Sequence, residues 1–325
     1  MSESRDPVQR ALDSVRDLYD VATWEERTLL DRVAVRLYRF LGRVTRGTVI
    51  LAGLLIILIQ LAVTGFAVVQ DPFLGVMTLL SVVPALALAG YIWLGDPTLR
   101  EPPRTLVVTF ILGVLFAGFA AVLNTVLQGP FQLIPIIGMS LYFFIVVGPV
   151  EEVVKWLAVR LYSYRRPDFH AVIDGAVYGA MAGLGFATIE NTLYITRVYL
   201  NAAGSSGTPV LSATVGITGV RSLAGPGHVI YTAFSGYYLG LAKFNPDDAG
   251  PIVVKGLLIA TLIHGLYNTL ASTIPFTLFT FIGFVIVFDG FFLGILFRKL
   301  SRYRSLYHEA QATEQGVSVP QPPEK

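Results

Sequence analysis

Six residues on four consecutive apolar segments carry groups able to move a proton or hold a developing negative charge. Glu151 and Glu152 lie in GPVEEVVKW, Glu190 in FATIEN, His228 in GPGHVIYT, and His264 with Asn268 in HGLYN. Insertion scales assign an ionised side chain at the bilayer centre roughly 2.5–3.5 kcal/mol of penalty, so such groups persist where they pair, face a wet cavity or do chemistry. Glutamates suit water activation, and imidazoles and amides suit an oxyanion. His and Glu are also zinc ligands, and Glu151, Glu190, His228 and His264 contain such a set. However, Thr232 follows His228 by one turn and Asn268 follows His264 by one turn. A ligating imidazole does not need a hydroxyl or amide there, whereas an oxyanion pocket does. No cofactor is therefore expected, and activity should survive chelators.

Other residues support these six. Lys155 lies four residues after Glu151 and three after Glu152, within reach of both on a helix. A self-neutralising triad is the plain structural reading of that spacing. Pro149 argues for more: it lacks an N–H and displaces the carbonyl four residues back, so a break or kink is expected just before Glu151. The carboxylates would then sit near the start of a half-helix, where free N–H groups favour anionic oxygen. Gly225, Pro226 and Gly227 are expected to interrupt the sixth segment directly before His228. Phe186 covers Glu190 from one turn earlier, and Asn191 adjoins it. Asp289 carries no assigned role, and Tyr194, Tyr231 and Tyr267 read as packing around the cavity.

The elements that must position these groups are membrane helices. Hydrophobic residues make up 54% of the chain and charged residues 14%, against about 25% charged in an ordinary soluble domain. The net charge of +2 gives no reason to invoke nucleic acid, and without cysteine there is no disulfide, thiolate metal site or cysteine nucleophile. The start of the chain has no apolar stretch resembling a cleaved signal peptide. Crossing the hydrocarbon takes around 20 residues, and about eight segments qualify: 48–69, 73–94, 105–127, 136–162, 171–199, 220–244, 251–271 and 276–297. Basic loops fall on one side: Arg39, Arg43 and Arg46; Arg100 and Arg104; Arg160, Arg165 and Arg166; Lys243 and Lys255; Arg298 to Arg304. Only Arg197 and Arg221 lie opposite, at segment ends. Both termini are thus expected in the cytoplasm.

The expected fold is all-α, a polytopic helical bundle in the cell membrane. Residues 1–46 form a cytoplasmic amphipathic region, 47–300 the transmembrane domain, and 301–325 a disordered cytoplasmic tail. Residues 201–219 read as an external Gly/Ser/Thr loop. At 1.5 Å per residue, straight helices would leave the candidate groups about two turns apart. Other intramembrane protease signatures are missing: His308-Glu309 does not continue as HExxH, and Gly183-Leu184-Gly185 is not followed by Asp. The GxSG match at Gly204 to Gly207 lies in the loop and reads as linker.

EEVVK, FATIEN, HVIYT and HGLYN, in this order on successive segments, resemble the motifs of the PrsW family. That family is similar to the CAAX endopeptidase and bacteriocin-processing superfamily. The motif core spans 146–270. The resemblance implies a glutamic-type intramembrane endopeptidase in which Glu151 activates water, Glu152 assists or is structural, and His228, His264 and Asn268 bind the water and oxyanion. Glu190 departs from the superfamily's usual FxxxH; it would orient an imidazole or share a proton. Lys155, Asn191, Thr232 and Phe186 would be supporting residues. The implied substrate is a single-span membrane protein such as an anti-sigma-factor-like regulator. From residue types alone the alternative is an ion- or proton-coupled transporter, which also uses buried Glu and His.

Overall fold

The computed structural model describes residues 71–205, 207 and 209–314, with side chains to His308, and isolated positions before residue 71. The chain divides into two units, Met1–Ile56 and Ile57–Lys325, and the bundle lies in the second. The amphipathic stretch 8–44, apart from Arg27 and Arg32, and the end of the tail fall outside the described residues. So does most of the first expected span, whose described positions between 51 and 69 are helical.

The continuous part holds α1 (Pro72–Leu94), α2 (Pro103–Gln132), α3 (Gly138–Tyr142), α4 (Gly148–Leu161), α5 (Val172–Ala203), α6 (Val210–Lys243), α7 (Ala249–Thr273) and α8 (Leu278–Glu314). No strand occurs among the described residues. Five of these helices, α1, α2, α5, α7 and α8, are long and apolar enough to cross a membrane. Their ends follow local rules. Asp71 caps α1 by accepting the Phe73 N–H at 2.9 Å, with Pro72 at the first helical position. Asp174, in the first turn of α5, accepts the Ala171 N–H at 3.0 Å.

Three expectations change in detail. The fourth segment is divided: between α3 and α4 lies a π-helical turn, Phe143–Val147. Val147 and Gly148 keep helical dihedrals, φ/ψ −60/−56 and −55/−55. The interruption before Glu151 is thus a widened turn that accommodates Pro149, and no free helix start opens there. The sixth segment is not interrupted at all, since α6 runs through Pro226. Pro226 has no N–H to offer the Ser222 carbonyl, and one residue earlier Asn191 of α5 donates to the Arg221 carbonyl at 3.3 Å. Most of the expected loop 201–219 is also helix: α6 begins at Val210, and the Thr214 and Thr218 hydroxyls donate to carbonyls four residues back.

α5 and α6 form the centre. α2 and α1 pack on α5, α1, α7 and α8 on α6, and α4 lies against α2, α5, α6 and α7. α5 is buried along most of its length from Ile173 to Thr196, while Leu79, Leu80, Leu258, Leu262, Ile286 and Val287 stand exposed on outer helices. In water such an outer face would be unstable; in lipid it costs nothing. The close approach of α5 to α6 needs Gly175, Gly179 and Gly183, spaced four apart. A Cβ on any of them would collide with the carbonyl oxygen of Gly236, Thr232 or His228 respectively. Small residues at this spacing let membrane helices meet backbone to backbone. Gly183→Ala is therefore expected to lower the unfolding midpoint in detergent, with an overpacking cost of about 1–3 kcal/mol. Gly216→Ala, where nothing lies within 4 Å of the added Cβ, should leave it in place. Equal midpoints would show that the helices separate freely.

Candidate active site

α4 brings Glu151, Glu152 and Lys155 to one face, all three buried. The two carboxylates are held differently. Glu152 Oε1 accepts from Lys155 Nζ at 2.7 Å and lies 2.8 Å from His264 Nδ1, and its Oε2 accepts from Thr232 at 3.4 Å. It is anchored from three helices. Glu151 Oε1 accepts from Asn124 Nδ2 on α2 at 2.9 Å, whereas Oε2 is buried with no hydrogen-bond partner. That free oxygen lies 3.6 Å from His264 Nε2 and 3.8 Å from Lys155 Nζ. Lys155 thus pairs chiefly with Glu152, and its ammonium stands 4.3 Å from the centre of the Phe186 ring.

His228 lies between two charges. Its Nδ1 is 3.0 Å from Lys155 Nζ and its Nε2 is 2.7 Å from Glu190 Oε2. An ammonium can only donate, so Nδ1 accepts and Nε2 carries the proton toward Glu190. His264 has the opposite arrangement. Its Nδ1 donates to the Glu152 carboxylate, which leaves the Nε2 lone pair toward Glu151 Oε2. Two acceptors face each other there, and a shared proton, or a water on the cavity side of the pair, satisfies both.

Glu190 also pairs with Arg221 of α6, which is held in turn by Asn191 Oδ1 at 2.8 Å. Asn191 donates from its amide to Ser81 of α1 at 3.2 Å and so ties three helices together. Glu151, Glu190, His228, His264 and Asn268 all line one cavity of about 630 Å³, with Tyr194, Tyr231, Tyr267 and Arg221 among its walls. Glu152, Lys155 and Thr232 stand behind that wall. Asn268 is half-buried, one turn from His264.

Straight-helix arithmetic leaves these groups about two turns apart, yet donor atoms of Glu151, His228 and His264 lie within 4.8 Å of one another. The glycine contact between α5 and α6, together with the π turn before α4, closes the gap. Sequence reasoning passed over two residues. Asn124 is an amide inside the apolar run of α2. Arg221, read as a loop-side charge, is an ion-paired member of the site. A polar side chain inside a spanning run was the available signal for both. Asp289, left without a role, has Oδ1 3.5 Å from the Tyr231 hydroxyl.

Over residues 101–293 the chain matches the family model described as PrsW family intramembrane metalloprotease. The chain belongs to the PrsW family. It is 28% identical to Protease PrsW of Bacillus subtilis (strain 168) over 229 residues, covering 69% of this chain and 94% of that protein. To Protease PrsW of Shouchella clausii (strain KSM-K16) it is 28% identical over 218 residues, 65% of this chain and 91% of the relative. Protease PrsW of Clostridioides difficile (strain 630) is 30% identical over 195 residues, 58% of this chain and 76% of the relative. No solved structure matches. This member of the PrsW family is a peptidase, an intramembrane protease, and the carrier reading falls away.

Proposed function

We propose that the protein hydrolyses a peptide bond of a membrane-anchored substrate with water activated by Glu151. The observation that carries this reading is the free oxygen of Glu151, buried, unpartnered and facing the cavity opposite the His264 lone pair. A water on the cavity side of this pair donates one proton to each and presents its oxygen to a substrate carbonyl. As the new C–O bond forms, the water proton passes to Glu151 and the carbonyl oxygen becomes an oxyanion. Asn268 supplies a donor for that charge, while the second water proton stays on the new hydroxyl, hydrogen-bonded to His264 Nε2. Collapse of the intermediate breaks the C–N bond, and Glu151 returns the proton to the leaving nitrogen. Glu152 fixes the His264 ring, and Glu190, held by Arg221, which Asn191 holds in turn, fixes His228. The substrate is taken to be a single-span membrane protein such as an anti-sigma-factor-like regulator, entering from the bilayer of a multi-pass cell-membrane protein.

The family's description implies a metal. The donors of Glu151, His228 and His264 are close enough to converge on one ion. The side chains as held do not fit it: His228 has both nitrogens committed, to Lys155 and to Glu190. Glu151 and His264 alone fall short of the three protein ligands of a usual catalytic zinc site. The charges agree. Glu151, Glu152 and Glu190 face Lys155 and Arg221, so one added proton neutralises the cluster and a dication overshoots. No step is therefore routed through a metal.

The test is cleavage of a tagged single-span substrate in reconstituted vesicles before and after exhaustive chelation. The expected rates are equal. Loss on chelation with recovery on zinc would overturn the metal-free reading while leaving the peptidase assignment in place.

A further inference from the structure

A second cluster of buried acids lies at the other end of α5 and takes no part in the chemistry above. Asp96 follows α1, Glu101 precedes α2, and Asp174 lies in the first turn of α5. Their exposures are 8%, 1% and 0%, and a carboxylate oxygen from each lies within 4.8 Å of the others. Asp174 is sixteen residues before Glu190 on the same helix, about 24 Å along its axis.

Asp174 is partly satisfied: it accepts the N–H groups of His170 and Ala171 and lies 2.8 Å from the His170 ring. Glu101 is not. Both of its oxygens are buried without a hydrogen-bond partner, and so is Asp96 Oδ2. No lysine or arginine forms an ion pair with the three among the described residues. Arg304 packs against Gly95, with its Nε and Nη2 unpartnered as well. Burying unpaired carboxylates is strongly unfavourable unless something compensates their charge. One proton shared between Glu101 and Asp96 would still leave other oxygens bare. A cation between the three satisfies all of them together. The donors are carboxylate oxygens without thiolate, which selects a hard cation.

We propose that Asp96, Glu101 and Asp174 form a structural site for a hard divalent cation of the Ca²⁺, Mg²⁺ or Mn²⁺ class. The ion ties the α1–α2 connection to the start of α5, the helix that carries Glu190 sixteen residues further on.

Full-length protein in detergent, stripped with chelator, is to be titrated separately with Ca²⁺, Mg²⁺ and Mn²⁺ while its unfolding midpoint is followed. Bound Mn²⁺ is to be counted by electron paramagnetic resonance. At least one cation should raise the midpoint by about 5 °C when in hundredfold excess over its Kd, and K⁺ at equal ionic strength should not. Glu101→Gln and Asp96→Asn should each lose that rise and one equivalent of Mn²⁺. Glu151→Gln should keep both, which separates this site from the catalytic cavity. No rise with any of the three cations, no Mn²⁺ bound by the unmutated protein, or an undiminished rise in Glu101→Gln would overturn the proposal.

Discussion

Glu151→Gln is expected to abolish proteolysis while leaving the bundle folded. The variant keeps the shape of the side chain and the acceptor that receives Asn124 Nδ2. Its new amide donates to the His264 lone pair 3.6 Å away, so no polar atom is stranded. Basicity alone is lost, and a general base contributes about 10²- to 10⁴-fold in rate. Cleavage of a tagged single-span substrate in vesicles, read beside the unfolding midpoint, checks both halves of the expectation. Normal turnover would remove Glu151 from the role of base. Glu152→Gln should fail differently. Lys155 and His264 both rely on that carboxylate, and removing one member of a buried charge pair costs about 3–5 kcal/mol. Its yield and midpoint should fall along with its activity.

Asn268→Ala is expected to slow cleavage about 100- to 1000-fold, the usual cost of removing one oxyanion donor. Asn268 lines the cavity one turn from His264. A donor that acts mainly on the developing charge contributes little to a ground-state carbonyl, so substrate capture should hardly change. Asn268→Asp should be worse, because it adds a negative charge where one is forming. Single-turnover rates compared with co-purification of the substrate on Glu151→Gln and Asn268→Ala backgrounds separate the two effects. Full turnover, or lost capture, would make Asn268 a packing or docking residue instead.

The site was legible as a set of residue types long before it was legible as a place. Two adjacent glutamates with a lysine, a third glutamate and two histidines in apolar segments announce themselves, because hydrocarbon penalises each one. The same penalty makes the all-helical fold readable: a backbone in lipid has to satisfy itself within each segment. What the spacing left open was which partner each charge takes. Lys155 is in reach of both Glu151 and Glu152 by helical geometry, and only the position of α6 and α7 assigns it to Glu152 and His228. That assignment frees one oxygen of Glu151 and makes the two neighbours chemically unequal.

Helix continuity also escaped the sequence. Proline and glycine before Glu151 and His228 are the same local signal, yet α4 follows a π turn and α6 runs through unbroken. What accompanies it is tertiary: Asn191 of α5 donates to the Arg221 carbonyl of α6, one residue before the carbonyl that Pro226 cannot serve. Arg221 follows the same logic, a loop charge by sequence position and a buried partner of Glu190 once α5 and α6 meet. Their meeting depends on Gly175, Gly179 and Gly183, whose missing side chains carry no hydropathy signal. The sequence by itself determined the solvent, the helical class and the chemical groups, since these follow from what each residue costs in hydrocarbon. The tertiary structure alone decided which groups touch, because contact depends on how closely two backbones approach, and that is a property of the pair.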